Sequence, residues 1–253
     1  MALEGAMSWI DLTAILGRLE GDRRYIPLEG QIRRLWSLYA VYADLKFSRM
    51  AIERLMSQAP NAGPIHQATE SEDAAVSDAL LTNAVISYCR AVHSKATSGR
   101  FDMLGTRHFD EEQKSQHKLV VAIRNQAIAH HGYGEIHPRL PWLQDRLVIR
   151  FNKHSANLRA PYIRLNTSVE VMEALDALTT ASIRRYESLE PKMRDDTIMA
   201  IREMMHRDAN FRSIMERHPF DGAAFFGDHP GWNHDVADFT LTLGEERHWV
   251  RKP

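Results

Sequence analysis

The sequence predicts an all-α protein: four to five main helices, a short β-like excursion and a C-terminal helical extension. Apolar residues recur near the 3.6-residue period of an amphipathic helix over most of the chain. Capping residues precede these stretches, and prolines or glycines follow them. The 253 residues are 44% hydrophobic and 26% charged, a composition that supports a buried core and excludes a disordered or collagen-like chain.

The first predicted helix runs from Leu28 to Met56. It ends before residues 59–64, where two prolines and a glycine cannot continue a helical hydrogen-bond ladder. Thr69 and Glu72 have the spacing of a capping box, so they are expected to open a second helix that ends near Ser98.

A third helix is predicted to begin at Asp110, because Gln113 stands at the reciprocal capping position. Its apolar stripe continues to a last turn formed by His130 and His131. Gly132 follows directly and favours a helix end there.

The pattern then changes to short β-like runs at residues 147–149 and 162–163. Pro161 lacks a backbone N–H and would restrict its strand to a sheet edge. A small hairpin or an irregular excursion is therefore expected in this part of the chain.

Two further helices complete the prediction. Thr167 opens a fourth helix that is expected to end before Pro191, and residues 194–217 form a fifth. An irregular, aromatic-rich tail follows. The sequence thus divides into a helical domain at 1–190 and a C-terminal extension at 191–253.

The charge distribution excludes a uniformly basic nucleic-acid binder, since the net charge is −1. Residues 118–164 nevertheless hold eight Lys and Arg residues and two acids, a formal +6 against −7 for the rest of the chain. Such a segment can contact phosphates, or it can be an ordinary solvated basic face.

The cellular setting is expected to be the cytoplasm. The single cysteine, Cys89, permits no intrachain disulfide. The first residues lack the pattern of an export signal, and no run approaches the roughly 18 apolar residues of a membrane span. We therefore expect no membrane partner.

The residue types needed for RNA cleavage without a metal lie at the end of the third predicted helix. Histidine can act as general base or general acid near neutral pH, and an arginine fork can stabilise a phosphorane-like transition state. The residues concerned are Arg124, Asn125, His130 and His131. The bland alternative is that they are ordinary surface residues at a helix end.

One straight helix cannot bring Arg124 into contact with either histidine. At about 100° per residue, His131 lies roughly 20° from Arg124 around the axis but about 10 Å along it, whereas His130 lies roughly 120° away. Two copies of this helix end packed about a twofold axis would bring both residue types to one cleft. The site is therefore expected to form in a dimer.

This segment resembles the defining motif of the HEPN superfamily (higher eukaryotes and prokaryotes nucleotide-binding). In that motif an arginine is followed by a polar residue and, after four to six intervening residues in total, by a histidine. Arg124 and His130 have five residues between them, and Asn125 occupies the polar position. Upstream, Tyr88-Cys89-Arg90 and His117 are similar to the Tyr-x-Arg helix and preceding histidine of bacterial HEPN-like proteins.

The resemblance implies an antiparallel helical bundle that forms a homodimer and acts as a metal-independent endoribonuclease in a toxin or phage-defence system. By that implication Arg124 and His130 are catalytic and Asn125 supports them, while His131 also falls within the permitted spacing. The predicted protein partner is an antitoxin or another effector. The alternative function is a catalytically inactive HEPN-like binding or scaffolding module.

RNA binding is assigned to Arg90, His117 and Lys118, with the alternative that Arg90 pairs with a carboxylate. No cofactor and no metal are predicted. The histidine groups around positions 130–137 and 229–248 show neither a HExxH helix nor paired cysteines.

Overall fold

The computed structural model describes residues 9–58, 72–93, 102–125, 144–145, 148–152, 155–159, 162–163 and 169–226. These residues are mostly helical, so the predicted all-α character is confirmed at that level. The helices are α1 (Leu12–Leu19), α2 (Ile26–Gln58), α3 (Glu72–Val92), α4 (Glu111–Ile123), α5 (Val169–Arg207), α6 (Ala209–Glu216) and α7 (Gly222–Phe226). The strands are β1 (Gln144–Asp145), β2 (Val148–Asn152), β3 (Ser155–Arg159) and β4 (Tyr162–Ile163).

Helices α2 to α5 pack around one hydrophobic core, which we call the main cluster. Fully buried members include Leu45 on α2, Leu81 on α3, Val120 on α4 and Leu175 on α5. Each is the inward-facing residue of an amphipathic stripe, and burying these stripes together is the main source of stability for such a bundle.

A second core, the terminal cluster, joins the two ends of the described chain. It combines α1, the start of α2, the end of α5 and α6, with Ile15, Leu19 and Phe211 all fully buried. The backbone around Ile10 pairs with that around Pro219, and the N–H of Asp11 donates to the carbonyl of His218 at 3.0 Å. Helix α1 was not predicted from the sequence.

The start of α4 agrees with the sequence prediction. Asp110 accepts a hydrogen bond from the backbone of Gln113 at 2.8 Å, and the Gln113 side chain accepts one from the backbone of Asp110 at 3.2 Å. These are the two reciprocal bonds of a capping box. The predicted last turn at His130 and His131 lies outside the described residues, as does Thr69 before α3.

The expected helix end before Pro191 is wrong, because α5 continues through that proline to Arg207. Pro191 is exposed; it removes one N–H from the ladder, and its ring crowds the carbonyl four residues earlier. Residues on both sides of it are held by packing: Leu189 before it and Met193 after it lie against the main cluster, and Ile201 lies against the terminal cluster. The proposed division of the chain at residues 190 and 191 falls inside this one helix.

The predicted β excursion is confirmed as an antiparallel hairpin of β2 and β3, in which Val148 faces Arg159 and Ile149 faces Leu158. An outer pair, β1 with β4, brackets it. Strand β3 was missed from the sequence.

None of the helices in the described part of the chain is long and apolar enough to cross a membrane.

Candidate functional site

Arg124 lies at the end of α4 and is half-buried. Its backbone is still helical, and its N–H reaches the carbonyls of both Val120 and Val121. The ladder widens into a π turn at Arg124 and Asn125, a feature often found at functional positions in helices. The Nη1 group of Arg124 donates to Oδ1 of Asn125 at 2.8 Å, so the amide orients the guanidinium.

His117 lies two turns before Arg124 on the same face of α4, and it is buried. Its Nδ1 atom is 2.7 Å from the hydroxyl oxygen of Tyr88 on α3. Tyr88 is fully buried, and burial raises its pKa above the usual range, so the hydroxyl keeps its proton. It can therefore donate to Nδ1 of a neutral imidazole that carries its own proton on Nε2.

Burial also lowers the pKa of His117, and the nearby imidazole of His93 lowers it further by charge repulsion. The two rings are 5.7 Å apart between centroids, and Phe109 covers His117 from another side at 5.9 Å. The imidazole is thus held neutral under an aromatic cover.

Cys89 follows Tyr88 on α3 and lies near enough to Arg124 to be affected by its charge. Burial raises the pKa of its thiol to about 12, and the positive charge of Arg124 partly opposes that rise. The thiol is therefore protonated at neutral pH and packs as a small apolar group. Cys89 is part of the main cluster.

Arg90 faces in a different direction. It is one residue beyond Cys89 and pairs with Asp44 of α2, whose side chain is only 7% exposed. Residues two apart on a helix point about 200° apart, so Tyr88 meets α4 while Arg90 meets α2. The alternative that Arg90 pairs with a carboxylate describes this contact.

The structure thus places Arg124 and Asn125 in contact at the end of α4, with His117 two turns earlier on the same face, and it places Arg90 on the α2 side of α3. Lys118 is exposed on α4, next to His117 in sequence but on the opposite side of the helix from the main cluster. His130 and His131 lie outside the described residues. No group of three or more potential metal-binding side chains occurs within the part of the chain that the structure describes.

Sequence reasoning missed the partners of two site residues. In the sequence, Tyr88 is singled out only by the family resemblance, and its position 29 residues before His117 gives no local signal of their contact. Asp44 carried a usable signal: it is an acid within the stretch Val41-Tyr42-Ala43-Asp44-Leu45, on the inward face of a predicted helix. A buried carboxylate requires a cationic or hydrogen-bonding partner.

Arg124 and Asn125, the part of the candidate site that the structure describes, can bind and orient an anion. A guanidinium held by an amide offers its remaining N–H groups as a fixed fork. His117 is neutral and engaged by Tyr88, so it positions the helix and does not take part in proton transfer at the surface. Acid and base catalysis would have to come from other histidines.

No protein-family model, curated protein or solved structure matches the chain.

Proposed function

We propose that this protein is a metal-independent endoribonuclease of HEPN type, acting as a homodimer in a toxin or phage-defence system. The observation that carries the proposal is the half-buried Arg124 at a π turn, held by Asn125, on the helix that the buried pair of His117 and Tyr88 ties to α3 two turns earlier. An arginine restrained in this way loses little side-chain freedom on binding a phosphate.

The proposed reaction is a transesterification. A histidine base takes the proton of the ribose 2′-hydroxyl, whose oxygen attacks phosphorus and forms a 2′,3′-cyclic phosphate. The bond from phosphorus to the 5′-oxygen breaks, and a second histidine gives a proton to that leaving oxygen. Arg124 neutralises the charge that builds on the phosphoryl oxygens. His130 and His131 are the proposed acid and base.

An exposed apolar face of α2 supports a homodimer. Trp36, Ala43 and Met50 recur every seven residues on this face, with Trp36 39% and Met50 40% exposed. If two copies of α2 pair antiparallel about Ala43, Trp36 of one copy meets Met50 of the other, and the small central residue permits close approach. We expect Trp36→Glu to give a monomer by sedimentation velocity.

The test of the function is RNA cleavage in excess EDTA by the wild type, Arg124→Ala and Arg124→Lys. The proposal expects cyclic-phosphate ends from the wild type only, because lysine retains the charge but not the fork. Lys114→Gln is the matched control: it removes a cation from the exposed side of the same helix, where Lys114 pairs with Glu111 at 2.6 Å.

Equal cleavage by the wild type and Arg124→Ala would overturn the assigned role of Arg124. Circular dichroism and sedimentation of each variant separate a lost active site from a lost fold or a lost dimer.

The second candidate, a catalytically inactive binding or scaffolding module, is favoured by a different observation. Arg90 is committed to Asp44 and His117 to Tyr88, so two residues assigned to RNA binding hold helices together. An inactive module would leave all RNAs intact, and Arg124→Ala would then change dimer affinity or partner capture without changing any cleavage.

A further inference from the structure

In the part of the chain that the structure describes, no helix contacts the hairpin of β2 and β3. Among the described residues these two strands contact only each other. Described side chains on both of its faces are exposed: Val148 is 47%, Ile149 50% and Leu158 59% exposed, and Arg150 and Arg159 are also exposed. An isolated two-stranded hairpin is at best marginally stable in water. Binding a partner would therefore stabilise this hairpin, which we call the arm.

The register places both arginines on one face. Val148 lies directly opposite Arg159, and Arg150 follows two positions after Val148 on the same strand. Alternate residues of a strand, and residues directly opposite each other, share a face. Arg150 and Arg159 are therefore diagonal neighbours, with backbones about 7–8 Å apart. Ile149 and Leu158 oppose each other on the other face.

The charge of this arm is of one sign. Residues 148–159 contain Arg150, Lys153 and Arg159 and no acid. Neither Arg150 nor Arg159 forms an ion pair with another residue of the described ranges. By contrast, most of the helical arginines that form ion pairs do so with an acid close in sequence. Arg33, for example, pairs with Glu29 at 2.7 Å.

We propose that the arginine face of this hairpin binds the phosphate backbone of single-stranded RNA, with Arg150 and Arg159 on neighbouring phosphates. Planar guanidinium forks suit phosphate oxygens, and a polyphosphate chain complements an arm with no acid and an enclosing segment of net +6. The inference rests on the proposed function, since it supplies the surface that holds RNA away from the reacting bond.

The experiment measures binding of a fluorescent 2′-O-methyl RNA oligonucleotide as a function of salt. This probe lacks the 2′-hydroxyl nucleophile, so it cannot be cleaved and the measurement is independent of catalysis. The proteins are the full-length wild type, Arg150→Gln/Arg159→Gln and the control Arg18→Gln/Arg23→Gln. Arg18 and Arg23 are exposed on α1 and just after it, outside the hairpin, and the control loses the same charge.

Losing two phosphate contacts should make the slope of log K against log salt shallower by about 1.4, since each contact contributes about 0.7 on single strands. With equal affinities at 1 M salt, this slope change means that the hairpin variant binds the probe about 25-fold more weakly than the wild type at 0.1 M salt. The control should keep the wild-type slope. Circular dichroism and the wild-type sedimentation coefficient verify that the hairpin variant is folded.

An unchanged slope in the hairpin variant overturns the proposal, as does an equal loss in the control, which would indicate general charge attraction. A third variant, Ile149→Ser/Leu158→Ser, tests whether the hairpin binds a second copy of the protein instead of RNA. If it breaks the homodimer while the arginine variant binds RNA normally, the arm is a protein interface. If the wild type cleaves RNA but the arginine variant keeps the wild-type salt slope, only the binding role of the hairpin is rejected. If the protein binds RNA through the hairpin but does not cleave it, only the nuclease proposal is rejected.

Discussion

Two buried tyrosines mark the two cores of the molecule. Tyr88 in the main cluster has its hydroxyl 2.7 Å from Nδ1 of His117. Tyr25 in the terminal cluster donates to Oδ2 of Asp208 at 2.9 Å and accepts from the amide of Asn210 at 3.3 Å. Each joins distant parts of the chain, but the first hydroxyl meets a neutral ring and the second meets a carboxylate.

The two networks differ in the other contacts that Asp208 and His117 make. Asp208 also accepts from the backbone of Asn210 and Phe211 and so caps α6, which is a structural role complete in itself. His117 caps nothing, and it lies two turns before Arg124 on the same helix. A closed network stabilises the terminal cluster, whereas the main cluster has a buried polar pair on the helix that carries the candidate site.

The largest expected effect tests whether the two clusters unfold separately. Phe211 is fully buried and contacts the ring of Tyr25 at 5.6 Å, so Phe211→Ala should cost about 3–5 kcal/mol. Hydrogen exchange should show faster exchange in α1 and α6 while the amides of α3 remain protected. Equal acceleration in α3 would mean that the clusters form one cooperative unit.

The second prediction concerns the cation at each core. Arg90→Ala leaves the carboxylate of Asp44 buried without its partner, and since the arginine is itself 56% exposed we expect a loss of about 1–3 kcal/mol. The double variant with Asp44→Ala should recover part of this loss in urea unfolding. Arg24→Ala, which removes an exposed partner of Asp208, should change stability little.

RNA affinity of the same Arg90→Ala protein separates its two assigned roles. A tie between α2 and α3 predicts unchanged binding of the 2′-O-methyl probe. Weaker binding by the folded variant would restore Arg90 to the RNA surface.

The third prediction compares the hydroxyls directly. Tyr88→Phe leaves a buried imidazole nitrogen with no partner and should cost about 1–3 kcal/mol. Tyr25→Phe should cost less, because Asp208 keeps its backbone bonds to α6 and has some access to water. Chemical denaturation of both variants gives the order, and the reverse order would remove the distinction drawn between the two networks.

The smallest effect is a pH dependence with a different window in each cluster. Burial lowers the pKa of His117 from 6.5, so below about pH 6.5 the unfolded chain binds a proton that the folded chain resists, and stability falls as the pH is lowered. Backbone bonding from Phe211 and the hydroxyl of Tyr25 lower the pKa of Asp208 from 3.8, so its contribution is present above pH 3.8 and lost below.

Urea unfolding between pH 7.5 and 5.0 checks the His117 window. His117→Gln should make the dependence shallower, but not flat, because burial also lowers the pKa of His108. A variant as steep as the wild type would assign the whole dependence to other groups.

Local signals allowed the sequence to predict most helices but not their tertiary partners. The α4 start was predictable because Asp110 and Gln113 lie within one turn. Helix α1 has only eight residues, too few for a clear period, and it is stabilised by residues some 200 positions away in the chain. The helix end predicted before Pro191 was wrong for a related reason: packing against two different clusters keeps α5 helical beyond the proline.

The candidate site shows the same limit. The spacing of Arg124 and Asn125 was visible because they are adjacent, and their contact followed. Arg90 and His117 were assigned to one surface because sequence gives no direction for a side chain until the packing faces of α3 are known. Once α3 lies between α2 and α4, the 200° between Tyr88 and Arg90 separates them.

The pairing of Ile10 with Pro219 also has a consequence for synthesis. A ribosome adding about 5–20 residues per second makes Pro219 roughly 10–40 s after Ile10. During this interval α1 has the start of α2 beside it but not α6, so Ile15 and Leu19 emerge long before their cover is complete. The nascent chain therefore presents the apolar face of α1, which a chaperone can hold until α6 is made.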